Sequence, residues 1–195
     1  DAFICTLWAA HANMFDEFEV TPRLMITAPF KAAGKTQVLK VLQNLTHNAV
    51  EGRNVTEATF VRLGGDHNLA YFMDEGDRVF RHETSDMTTV LNIGYEVGAS
   101  FFRCVGNEHT PTAFPVSSAV AIAGKNLDTI MSDTTLSRSI LIDMVKAKSG
   151  QIRQKFKKKR HMSALNVLGR KLKRWCDDHR TDCGNYEPTF PDTLD

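Results

Sequence analysis

The apolar run Leu24-Met25-Ile26 leads into Ala28-Pro29-Phe30-Lys31-Ala32-Ala33-Gly34-Lys35-Thr36, and a helix-compatible stretch, Gln37 to Leu45, follows at once. A strand that feeds a Gly-Lys-Thr turn that feeds a helix is the layout of a phosphate-binding loop, an α/β element. The reason is physical: backbone N–H groups of the turn and the helix N-terminus point outward as a ready anion site. On this reading the backbone from Pro29 through Phe30, Lys31, Ala32, Ala33, Gly34, Lys35, Thr36 and Gln37 cradles a nucleotide's phosphates. Lys35 reaches the β- and γ-phosphates, and the Thr36 hydroxyl holds Mg²⁺. The usual pattern has glycine five residues before Gly34, where this chain has Pro29. Proline fixes φ near −65° and lacks an N–H, so ring stiffness replaces glycine freedom at the start of the loop. An ordinary left-handed turn before a helix would also use Gly34.

A second element lies forty residues beyond Gly34. Leu69-Ala70-Tyr71-Phe72-Met73 ends in Asp74-Glu75. A continuous apolar run of this length predicts a strand buried on both faces, as in a covered parallel sheet. At its end Asp74 is placed to bind Mg²⁺ directly or through water, and Glu75 to polarise an attacking water. A strand finishing in a solvated acidic turn is the plainer alternative.

The 195 residues suit one domain with a sizeable core, and no apolar stretch approaches a membrane span. No signal-peptide pattern is present, and a start at Asp1 suggests a piece of a longer protein. Cys5, Cys104, Cys176 and Cys183 lack the spacing of a disulfide framework, which favours a reducing, cytoplasmic setting. Cys176, His179 and Cys183 supply three possible zinc ligands; a fourth would have to be His161.

A net charge of +1 hides an asymmetry. Lys146 to Arg180 holds 13 Lys and Arg against Asp177 and Asp178, so this stretch carries +11 and the remainder −10. The densest part, Lys155 to His161, contains Lys157, Lys158, Lys159 and Arg160. Such a cluster suits nucleic acid or another anionic surface; a basic helix face docked on the acidic body accounts for it equally well.

Read in order, the pattern predicts an amphipathic helix from Phe3 to Met14 (Phe3, Ile4, Leu7, Trp8, His11) and an acidic connection to Val20. After the loop and its helix come an extended stretch over Asn48 to Val55 and a helix capped by Thr56 and closed by Gly64-Gly65. The carboxylate-ended strand follows, then a polar linker and a short helix from Asp86 to about Ile93. Phe101–Val105 and Ala113–Val116 flank a turn-rich segment and read as a hairpin, with Pro115 on an edge. Ala119–Ala123 and Ser139–Val145 are further strands. Gln151 to about Asp182 is helical, with Leu165, Leu168, Leu172 and Trp175 on one stripe, and the Pro188 and Pro191 tail is loop. The chain divides into an N-terminal helix and connection (1–20), a core (21–150) and a basic helical segment with its tail (151–195), with a possible lid starting near Gly150.

These segments resemble P-loop ATPases of prophages, plasmids and other mobile elements, a helicase-like family often described only as a domain of unknown function. The matching stretches are Thr21-Pro22-Arg23-Leu24, Thr27 to Thr36, Asp74-Glu75-Gly76-Asp77 and Leu91-Asn92-Ile93-Gly94. Arg103-Cys104-Val105-Gly106, Ala121-Ile122-Ala123-Gly124 and Leu136-Ser137-Arg138-Ser139-Ile140 complete them. The resemblance covers about Leu7 to Val145, and such proteins commonly carry proline where this chain has Pro29; Ala32 and Ala33 are less typical.

The resemblance implies a three-layer, RecA/AAA-like core with a mostly parallel central sheet, an inserted hairpin and a C-terminal helix. It makes Asn126 a sensor of the γ-phosphate or the lytic water, with Lys125 a competitor for that role. It makes Arg138 an arginine finger acting on the neighbouring subunit of a homo-oligomer; ion pairing to Asp133 or Asp143 is the structural alternative. It also places Asn107, His109 and Thr110, at the hairpin tip, near a DNA backbone. The expected activity is Mg²⁺-dependent ATP hydrolysis by Lys35, Glu75 and Arg138, with Thr36 and Asp74 on the metal, in a DNA motor. A nucleotide-gated switch or assembly ATPase acting on a protein partner is the alternative, and a P-loop that only binds nucleotide the third.

Overall fold

The computed structural model describes residues 1–52, 56–64, 68–80, 86–151 and 156–189. Among them run α1 (Ala2–Ala12), a 3₁₀ turn (Phe15–Glu17), β1 (Arg23–Thr27), α2 (Lys35–Leu45), β2 (Ala49–Gly52), α3 (Glu57–Gly64) and β3 (Ala70–Met73). There follow α4 (Gly76–Val79), α5 (Asp86–Ile93), β4 (Ser100–Val105), β5 (Thr110–Pro115), β6 (Ala119–Gly124), α6 (Leu127–Ile130), α7 (Asp133–Leu136), β7 (Ser139–Asp143) and α8 (Lys158–Gly184).

Five strands form one parallel sheet in the order β2-β3-β6-β1-β7, and β4 pairs with β5 as a separate antiparallel ribbon. The apolar runs become strands covered on both sides because their alternate residues serve two cores. Leu24, Ile26, Ala70, Phe72, Ala119, Ala121 and Ala123 face a core closed by α1 and α2. Met25, Tyr71, Met73, Val120 and Ile122 face another, closed by α3, α4, α5, α6 and the root of the hairpin. The result is an α/β fold with helices on both faces of a five-stranded parallel sheet. Among the described residues no helix is long and apolar enough to cross a membrane.

The connections fix where a site can form. β1 leaves the sheet through α2 on the first face, while its neighbour β6 leaves through α6 on the second. Neighbouring strands whose exits diverge open a crevice at their carboxyl ends, and open α/β sheets bind ligands there.

Several expectations change at the level of packing. α1 is apolar all round: Trp8, Ala9 and Ala12 are buried, whereas Phe3 and Leu7 are exposed. Trp8 stacks edge-on against Phe72 and donates its indole N–H to Pro22 O at 2.8 Å, so the helix belongs to the sheet's own core. In α8 the buried seam is Leu165, Gly169 and Cys176, with half-buried Leu172; Leu168 and Trp175 of the expected stripe are exposed. Close approach explains the shift, because a Cβ on Gly169 would stand 2.3 Å from Asn44 O at the end of α2.

Thr56 caps α3 as expected, accepting the Thr59 N–H at 3.3 Å. β7 stops at Asp143, two residues short of the expected strand end. The polar linker after β3, Gly65, Lys155, Pro191, the end of the stretch to Val55 and most of the expected start of α8 lie outside the described residues.

Candidate functional site

The loop after β1 is anchored at its start by buried Ala28 and at its end by Gly34, which adopts φ 94° as the N-cap of α2. Gln37 and Val38 both donate to Gly34 O, at 2.9 and 3.1 Å, which leaves the N–H groups of Lys35 and Thr36 ahead of the helical ladder. Ala32 also takes a left-handed conformation, φ 60°, so the turn is built without a second glycine at a cost of about 1–2 kcal/mol. Lys35 curls back over the loop and donates to Phe30 O at 3.1 Å. Pro29, Phe30 and Lys31 are exposed, while Ala33 to Thr36 are half-buried.

The acidic turn after β3 lies beyond β6. Asp74 accepts the N–H of Glu75 at 3.0 Å, and Glu75 sits at φ 59° as the N-cap of α4. Its carboxylate pairs with Arg78 at 2.6 Å, on the surface. Gly76 and Gly124 let this turn nestle against the end of β6. A Cβ on Gly76 would meet Ile122 Cγ2 at 2.4 Å, and one on Gly124 would meet Leu127 Cδ2 at 2.6 Å and the Asp77 nitrogen at 2.9 Å. Asp77 then accepts the N–H of Lys125 at 3.1 Å, tying the acidic turn to the loop after β6. The same loop is tied to β1, because Thr27 Oγ1 accepts the Leu127 N–H at 3.0 Å. Asn126 caps α6 at φ 48° with an exposed side chain.

These loops share one electrostatic environment. Burial pulls the Lys35 ammonium below its ordinary range, the Asp77 and Asp74 carboxylates act the other way, and Lys125 adds to the lowering. The Lys35 ammonium is thus within electrostatic reach of Asp77, Asp74 and Lys125, on the loops at the carboxyl ends of β1, β3 and β6. Asp77 and Thr27 had no assigned role in the sequence reading. The signal for Asp77 was its place one turn from Asp74; a hydroxyl closing a buried strand was the signal for Thr27.

Arg138 is elsewhere. It precedes β7, whose Ser139 aligns with Arg23 at the start of β1, so it lies at the amino edge of the sheet, at least about 13 Å of strand from the loop. Its guanidinium donates to Thr134 O at 3.0 Å and lies over the Tyr95 ring, 5.6 Å from the centroid. Lys157, Lys158, Lys159 and Arg160 are exposed at the amino end of α8. The other end of that helix docks on acidic residues: Arg180 donates to Glu17 Oε1 at 2.5 Å and also to Asp16. The hairpin is held by Phe101 and Phe114 in the second core and by Arg103 on Glu57 at 2.8 Å, and its tip is exposed. Cys176 is buried, with its thiol against Ala10 O, and His179 stacks on Trp175. Among the described residues no group of three His, Cys, Asp or Glu is placed to hold a metal unaided. Comparison with protein-family models and with curated sequences returns no match.

Proposed function

We propose that the chain is a Mg²⁺-dependent ATPase whose nucleotide lies on the loop after β1. The observation that carries this reading is the meeting of the Lys35 loop, the acidic turn and the Lys125 loop at the carboxyl ends of β1, β3 and β6, where Asp77 accepts the Lys125 N–H and the N–H groups of Lys35 and Thr36 stand ahead of the helical ladder. A cation and forward-facing amides suit phosphate oxygens, and the hydroxyl of Thr36 with the carboxylate of Asp74 suits a hard divalent ion. When bound, Mg²⁺ would neutralise charge on the phosphates.

The chain's own part is positioning and electrostatics. Lys35 exchanges its bond to Phe30 O for phosphate oxygens. Asp77 holds the loop that carries Lys125 and Asn126 at a fixed distance from the acidic turn, so Asn126 is set to touch the terminal phosphate or its water. Glu75 turns from Arg78 to orient that water. Arg138, at the far edge of its own sheet, serves a neighbouring copy in a homo-oligomer.

The use we favour is a helicase-like DNA motor, with Lys157, Lys158, Lys159 and Arg160 on the nucleic-acid backbone. Docking of Arg180 on Asp16 and Glu17 favours a second reading, a nucleotide-gated switch acting on a protein partner, in which α8 is a fixed part of the body. ATP hydrolysis with and without single-stranded DNA separates them, measured beside Lys35→Ala and Glu75→Gln. Stimulation by DNA, with turnover reduced at least about 10²-fold in both variants, is the expected result. Turnover indifferent to DNA would favour the switch, and no turnover in any state would end the ATPase reading.

A further inference from the structure

The two flanks of β1 differ in chemistry. Toward β6 and β3 lie the acidic turn of Asp74 and Asp77 and the loop of Lys125, joined by the bond from the Lys125 N–H to Asp77. Toward β7 the loop faces an apolar cavity of about 540 Å³, walled by α1, α2 and the exit of β7. Val41 and Ile142 are among its apolar lining residues, and its polar side chains are Asp1, Thr6, Gln37 and Asp143. Two residues join the cavity to the phosphate loop. Gln37 follows Thr36 in the first turn of α2. Met144 donates its N–H to Thr27 O at 2.8 Å, lines the cavity, and brings its methyl within 3.5 Å of where a Gly34 Cβ would be.

We propose that this cavity receives the purine base of the nucleotide. The inference rests on the reading of the loop as a phosphate site and adds the direction in which the ligand lies. Charged groups on the β6 side suit the terminal phosphate and a metal; apolar walls on the β7 side suit a flat aromatic ring. The volume falls within the range of small-molecule sites, which are mostly apolar with a few polar groups that fix orientation. Gln37 offers a donor and an acceptor and Asp143 an acceptor, the groups that read the edge of a base. A bicyclic base buries more apolar area against three walls than a pyrimidine, so purines bind more tightly.

Cys5 also lines the cavity and is a free thiol, which makes the test local. The full chain is treated with a maleimide in the presence of ATP, GTP, CTP, UTP or inorganic tripolyphosphate, and labelling of Cys5 is followed by peptide mass spectrometry. ATP or GTP should slow labelling of Cys5 at least about fivefold, while tripolyphosphate leaves it unchanged. Calorimetric titration should show a purine triphosphate binding at least about tenfold tighter than tripolyphosphate, a difference that Val41→Phe removes. Thr6→Trp fills the cavity from α1 and serves as the second variant. ATP that binds without protecting Cys5, pyrimidine triphosphates that bind as well as purines, or tripolyphosphate that binds as tightly as ATP would each overturn the base site while leaving the phosphate loop standing. Binding of neither ATP nor tripolyphosphate would overturn the loop reading and the base site with it.

Discussion

Arg23 and Lys35 stand at opposite ends of one strand-and-loop unit, and their surroundings have little in common. Arg23 is 1% exposed at the amino edge of the sheet. Its guanidinium donates to Leu91 O at 3.2 and 2.6 Å and to Ser118 O at 2.5 Å. Those carbonyls lie near the end of α5 and just before β6, so one side chain holds both roots of the hairpin insertion against β1. Burial lowers it to about 9, and it remains a cation at neutral pH. Lys35, at the carboxyl edge, is half-buried and holds a single carbonyl at 3.1 Å. One cation is locked by a rigid fork matched to backbone acceptors; the other is a flexible point charge with a partner it can leave. The contrast separates a cation that holds the fold together from one tied to it by a single exposed bond.

The contrast is most exposed to failure at Arg23. Arg23→Ala should cost at least about 3 kcal/mol in urea denaturation, because it strands buried acceptors, and Arg23→Lys should recover little of it. Full stability in Arg23→Ala would mean that the amino edge is not held by this residue.

Acid titration sharpens the same point. Burial and then the Arg23 charge pull the His11 imidazole down to about 4, from an ordinary 6.5, with Thr21 Oγ1 at 3.1 Å and Phe18 tilted against the ring. The unfolded chain therefore binds the extra proton first. The contribution is complete above about pH 6.5 and falls away as pH drops through 4, by on the order of 2–3 kcal/mol. Stability curves from pH 7 to 4 should flatten in His11→Gln.

At the carboxyl edge a backbone change should disturb activity more than fold. Gly124→Ala drives a methyl toward Leu127 and the Asp77 nitrogen, which should cost about 1–3 kcal/mol and a larger share of turnover. The smallest expected effect on stability is that of Lys35→Ala, within about 0.5 kcal/mol by thermal melting, although on the ATPase proposal its nucleotide affinity should fall. A large loss of stability there would place Lys35 with Arg23 as a structural cation.

Much of this frame was legible because β1, β3 and β6 are apolar runs closed by a small or acidic residue, a pattern that leaves few alternatives to a buried parallel strand. The position of the loop and the acidic turn followed from those strands. Arg23 was not legible, since a charge opening a strand gives no sign that distant carbonyls await it. The α8 seam was misread for the opposite reason: Gly169 and Cys176 are too small to register as an apolar stripe, and only the nearness of Asn44 O explains them. The distance of Arg138 from its own loop was not legible either, since it is a matter of strand direction and needs the register of β7 on β1.

That register also governs how the chain assembles. Leu24 pairs with Ala121 on one side and Ile140 on the other, so the strand that carries the loop waits for partners roughly a hundred residues downstream. Contacts of such sequence separation form slowly, after the entropy of closing a long loop has been overcome. During synthesis the centre of the sheet is consequently among its last parts to close. A ribosome that stalls before Ser139 would hold a nascent chain with one edge of β1 bare, an aggregation-prone strand until β7 arrives.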